Sequence, residues 1–168
     1  MTHATFLSPW YWVFGVLFWG LVCNYTFGVP NELFVRARRG GEDAALFERF
    51  ARRNLSLFAR TIRRRAGFAA GAGAFVLALL GTYAWRSGSE AALGLLILLA
   101  PAAALSAWGG LAIMRAAEAS PGRDGLLRLF ERARLWSAAA AVFSMLAAAS
   151  AAGARHGPGW TDALLRGF

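Results

Sequence analysis

The sequence predicts an all-α polytopic membrane protein: four transmembrane helices in two helical hairpins with amphipathic cytoplasmic segments, one domain over residues 1–168. Three observations carry this. The chain is 58% hydrophobic, beyond the apolar share of an ordinary soluble domain. Its apolar residues gather into four uncharged runs, at residues 9–29, 66–85, 91–114 and 135–154. Each matches the about 20 helical residues needed to cross roughly 30 Å of hydrocarbon. All 18 basic residues are arginine, and all lie outside those runs. In lipid every backbone N–H and C=O needs a partner within its segment, and these runs do not alternate as barrel strands do.

The first run opens with Trp10, Tyr11 and Trp12, residues that favour the headgroup level. The stretch before it lacks the basic region of a secretory signal, so the run is expected to stay as an anchor. Cys23 is the sole cysteine, which excludes an internal disulfide and leaves it as a small packing residue. Toward the inner end Asn24, Tyr25 and Thr26 form the most polar intramembrane group. With Asn31, Glu32 and Arg36 they make a candidate polar pocket. The simpler role is hydrogen bonding to another helix through Asn24 and Thr26, about 1 kcal/mol. Residues 31–39 read as a continuation of the first helix past a break at Pro30.

Between the first two runs stand ten arginines, from Arg36 to Arg65. At about 100° per residue, Leu46, Phe50, Ala51, Asn54, Leu55, Leu57, Phe58 and Ile62 share the face of Phe47. Glu48, Arg49, Arg52, Arg53, Arg60, Arg63 and Arg64 take the opposite arc. Residues 43–64 are therefore an amphipathic helix, expected to lie in the interface with its arginines at lipid phosphates. Gly40 and Gly41 break the chain ahead of it, and Asp43 caps it or complements its positive end.

The second run carries Gly67 and Gly71 at GxxxG spacing, a helix-packing face, and closes with Tyr83 and Trp85. Pro101 in the third run kinks it or frees a carbonyl for a neighbouring helix. "SPGRDG" then supplies a turn, with Ser120 or Asp124 as cap and Pro121 in a first turn. Over residues 124–134, Leu126, Leu127, Leu129, Phe130 and Ala133 face away from Arg128, Glu131 and Arg132. This second amphipathic segment runs into the Ala- and Ser-rich fourth run, whose inner end Trp136 marks.

Arginine counts orient the chain. The first loop holds ten and the third holds five (Arg115, Arg123, Arg128, Arg132, Arg134). The second has Arg86, opposed by Glu90, and the tail has Arg155 and Arg166. The first and third loops are thus expected inside and both termini outside. Arg, Ala and Gly richness without Lys is what a GC-rich genome produces, so the expected place is a bacterial inner (cytoplasmic) membrane with periplasmic termini. The net charge of +9 then points to anionic phospholipids as partners rather than nucleic acid.

The tetrapeptide LFER occurs at residues 46–49 and again at 129–132. Both copies fall at the inner surface of a hairpin, the placement expected of parallel repeats about the membrane normal. The four runs contain no Asp, Glu, His or Arg, which argues against a proton relay, a carboxylate ion site or a His-ligated haem. His3 and His156 stand in the termini without acidic or Cys companions, too few for a metal site. "FERFARRN" is superficially similar to the arginine-rich approach to a helix-two asparagine in the membrane-associated eicosanoid and glutathione metabolism enzymes. That family places a glutamate three residues after the asparagine within a span; here Asn54 is followed by Leu55, Ser56 and Leu57, and Arg60 precedes any span.

No catalytic residue, cofactor or metal site is expected. The expectation is a noncatalytic accessory or assembly subunit. Arg49, Arg52, Arg53, Arg60, Arg63, Arg64, Arg128 and Arg132 would contact anionic lipid, a membrane-protein partner or a second copy of the chain. The alternative is a small transporter or pore component with a site between the hairpins, near Asn24 and Pro101.

Overall fold

The computed structural model describes residues 5–157 and 159–165. After a 3-10 turn at Thr5–Leu7 come α1 (Pro9–Asn24), a hairpin of β1 (Tyr25–Thr26) and β2 (Val29–Pro30), and α2 (Asn31–Arg38). α3 (Glu42–Ser87), α4 (Glu90–Ala119), α5 (Arg123–His156) and α6 (Trp160–Leu165) complete the order. Three of these, α3, α4 and α5, are long and apolar enough to cross a membrane. Each contains one of the predicted runs entire.

The amphipathic segments are not separate helices lying in the interface. The first is the opening half of α3, whose 46 residues extend about 69 Å at 1.5 Å per residue; the second opens the 34-residue α5. Between Arg60 and Phe68 the sequence offers no breaker beyond Gly67, which costs about 1 kcal/mol in a helix interior, so the helix runs on. Gly40 and Gly41 do break the chain, at φ 90 and 73. Gly41 takes the N-cap position without a side-chain bond, leaving Glu42 and Asp43 in the positive first turn. Ser120 ends α4 at φ 44 and Gly122 precedes α5. Neither Ser120 nor Asp124 caps α5, and Pro121 sits in the link.

The first run departs most from expectation. α1 has 16 residues, about 24 Å, and ends at Asn24. The chain then reverses, pairing Tyr25 with Pro30 and Thr26 with Val29. Phe27 and Gly28 both take positive φ, 51 and 72, as a two-residue type I′ hairpin requires. Pro30 is the cause: it lacks an N–H and holds Val29 extended. α2 is consequently an independent helix, not an extension of α1.

Two cores result. The inner one, on the arginine-rich side, joins Val29, Phe34, Phe47, Leu55, Ile113 and Phe130 from β2, α2, α3, α4 and α5. The other joins Phe6, Tyr11, Trp19, Leu98, Ala148 and Ala152. α1 enters it through Tyr11, Gly15 and Trp19, a four-residue spacing that makes one face. A Cβ on Gly15 would stand 2.6 Å from Met145 Cε, so this glycine is set by close approach to α5. At the far end Glu90 accepts from the Phe6 N–H at 3.3 Å and meets His156 Nε2 at 2.8 Å. The latter contact has the distance of an ion pair but lies off hydrogen-bond direction.

Candidate lipid and partner surfaces

The two LFER copies meet. Phe47 and Phe130 are both fully buried, with ring centroids 5.2 Å apart at 74°. Phe34 stands 6.0 Å from Phe47 and Phe27 stands 5.4 Å from Phe130, both edge-on. Such pairs contribute about 0.5–1.5 kcal/mol each beyond area burial. Part of each apolar arc therefore faces protein, at Ala44, Phe47, Ala51, Leu55, Ala59, Leu126 and Phe130, whereas Leu46, Phe50, Leu57 and Phe58 of the first arc remain exposed. Sequence periodicity located the face only in part; what covers the buried part is the other segment together with α2 and α4.

The polar residues of the same motif turn outward. Glu48 pairs with Arg52 at 2.8 Å and Glu131 with Arg38 at 3.4 Å. Exposed pairs of this kind are worth about 0–1 kcal/mol. Arg49, Arg52, Arg53, Arg60, Arg63, Arg64, Arg128 and Arg132 are all exposed. Arg52 also donates to the Pro121 carbonyl at 3.1 Å, and Arg63 meets Glu118 at 3.6 Å. The other six make no ion pair among the described residues.

On α3 these free cations alternate with exposed apolar side chains. Leu46, Phe50 and Leu57 are 50%, 41% and 49% exposed. They fall at helical spacing with Arg53, Arg60 and Arg64, and the stripe continues into Phe68, Gly71 and Phe75. In the apolar run of α3 only Ala84 is buried among the described residues, with Gly73, Leu77, Leu80 and Gly81 half-buried. Nothing lies within 4 Å of where a Cβ on Gly67 or Gly71 would stand. The small residues of α5 do pack, Ala148 and Ala152 being fully buried beside α1; at Gly67 and Gly71 no described residue approaches α3.

Of the candidate polar pocket, Glu32 and Arg36 pair with each other on α2. Asn24 ends α1 and is exposed, and the side chains of Tyr25 and Thr26 lie outside the described ones. Asn31 of the same group is engaged as well. Arg134 donates through Nη1 to Asn31 Oδ1, and its guanidinium lies 4.1 Å from the centre of the Phe34 ring. Its Nε and Nη2 are shielded and unpartnered. Asn54 Nδ2 donates to the Gly28 carbonyl at 3.3 Å, which ties α3 to the hairpin turn. In the sequence Arg134 is one topological charge among five, and no local spacing relates it to Asn31.

Pro101 frees a carbonyl in the way its position predicts. Without an N–H it cannot donate to Ile97, and Ser144 of α5 does so instead, Oγ to Ile97 O at 2.8 Å. Ser144 is fully buried. Beside this link α4 and α5 part to leave a cavity of about 470 Å³. Pro101, Leu105 and Trp108 line it from α4, and Trp136, Ala139 and Phe143 from α5. Trp108 and Trp136, with ring centroids 6.5 Å apart, stand at its inner end. Sequence inspection marked Pro101 and Trp136 separately; their convergence on one groove comes from the antiparallel packing of α4 and α5.

His156 is engaged with Glu90 as described, and His3 lies outside the described residues. Among the described residues no cluster of three metal-ligating side chains occurs. Comparisons with protein-family models, with curated proteins and with solved structures find no match.

Proposed function

We propose that this chain is a noncatalytic accessory or assembly subunit of a bacterial inner membrane, docking a membrane-protein partner or a second copy along α3. In this reading α1 crosses beside α3, α4 and α5, with the hairpin completing its passage. The four crossings form two hairpins, the arginine-rich layer is cytoplasmic, and both termini are periplasmic. The arginines of the inner layer meet anionic phospholipid or the partner's acidic surface.

One observation carries the proposal: α3 is 46 residues long and Ala84 is the one buried residue described in its apolar run, while the face of Gly67 and Gly71 is open to another helix. Small residues at helix contacts are how backbones approach in lipid, where no hydrophobic drive exists between helices. The unpaired Arg53, Arg60 and Arg64 extend the same stripe beyond the membrane, giving a partner both an apolar and a charged contact. Spans without Asp, Glu, His or Arg support a role without proton or ion chemistry. Extraction in mild detergent at native expression tests this. Co-purification of a membrane protein or a second copy is expected, and a lone monomer with neither would overturn it.

A further inference from the structure

The groove between α4 and α5 and the arginines inward of it form one amphipathic surface, and we propose that it is a binding site for a single anionic phospholipid of the inner leaflet. The inference rests on the reading that the arginine-rich side faces the anionic leaflet, and it assigns that contact to a defined place. Successive helical residues turn by about 100°. On α4 the groove residues Pro101, Leu105 and Trp108 share a face with Arg115, seven residues beyond Trp108. On α5 the groove residues Trp136, Ala139 and Phe143 share a face with Arg132, four residues before Trp136. Because the helices run antiparallel, both arginines stand on the inner side of the tryptophans, about 10 Å and 6 Å beyond them along the helices.

Charge and polarity divide along this surface as they do along a lipid. Trp108 and Trp136 mark headgroup level, and the cavity outward of them is walled by aliphatic and aromatic side chains, a fit for an acyl chain. Arg115 and Arg132 are exposed and make no ion pair among the described residues. The nearest carboxylates are engaged elsewhere, Glu118 with Arg63 and Glu131 with Arg38. Two like charges on one face without a counter-ion favour an anion, and a guanidinium holds phosphate oxygens bidentately. The Ser144 to Ile97 bond holds α4 to α5 at the depth of Pro101, so the groove is braced. Neither Trp108 nor Arg115 belongs to the open face of α3, and the lipid site and the partner face are separate surfaces.

Native mass spectrometry of the detergent-purified full chain, titrated with equal dioleoyl-phosphatidylglycerol and dioleoyl-phosphatidylcholine, tests this. One phosphatidylglycerol is expected to be retained with about tenfold preference, the scale two interfacial cations supply. Arg115→Gln with Arg132→Gln should bring the preference to within about twofold while thermal stability is unchanged. Ala139→Phe, which fills the groove, should reduce retention of both lipids. In a parallel arm Arg53→Gln, Arg60→Gln and Arg64→Gln on α3 should leave the preference intact. A preference lost in that arm and kept in R115Q/R132Q would overturn this site while leaving the inner arginines as lipid contacts. Equal retention of the two lipids by the unmodified chain would overturn both.

Discussion

The inner and membrane halves of α3 belong to one unbroken helix, yet they bury different amounts of themselves. Ala44, Phe47, Ala51, Leu55 and Ala59 are buried in the first half, and Ala84 alone in the second. The difference follows the solvent. Beside water, apolar surface leaves it at about 25 cal/mol per Å², and the inner half found α2, α4 and α5 to cover its stripe. In hydrocarbon that drive is absent, and in the proposed placement this leaves the Gly67 and Gly71 face of the apolar half open for a closely fitting helix. α5 offers the contrast within the same layer, since its Ala and Ser face is already filled by α1.

The largest way to break this contrast is to empty the inner core. Phe47→Ala or Phe130→Ala should each cost about 3–5 kcal/mol, read as a lowered thermal midpoint in detergent. Because the rings touch, the double variant should fall short of the sum by about 0.5–1.5 kcal/mol. Full additivity would mean the two copies stabilise the layer independently. Next in size is Ser144→Ala, which leaves the Ile97 carbonyl unpaired. A loss of about 1–2 kcal/mol is expected, and restoring an N–H with Pro101→Ala in the same chain should recover most of it. Smallest is Gly71→Leu on α3. With nothing within 4 Å of that position, the isolated chain should change by less than about 0.5 kcal/mol, while the proposed partner contact should be lost.

How much of this was legible in the sequence depends on whether the signal was local. The three long apolar helices and both amphipathic faces follow from hydropathy and period, and Pro101 announced a free carbonyl. The end of α1 was written in Gly28 and Pro30, but a run of apolar residues masks a turn when hydropathy alone is counted. What the apolar faces pack against was not legible, because the Phe47 to Phe130 contact joins helices far apart in the chain. The same limit hid Arg134 over Phe34 and the shared face of Arg115 and Arg132. Identical LFER tetrapeptides pointed to equivalent placement; that the two phenylalanines touch is a property of the tertiary structure.

The central claim is that the membrane face of α3 is an interface. It is tested most directly by cross-linking in native membranes, using Cys23→Ser to remove the native thiol and single cysteines at Gly71, Phe75 and, as a control on α5, Leu146. A benzophenone attached to the thiol and activated by light, which inserts into neighbouring C–H bonds, should shift the chain to a discrete higher band from positions 71 and 75 and not from 146. Adducts absent from both α3 positions, or equally strong at 146, would contradict the account.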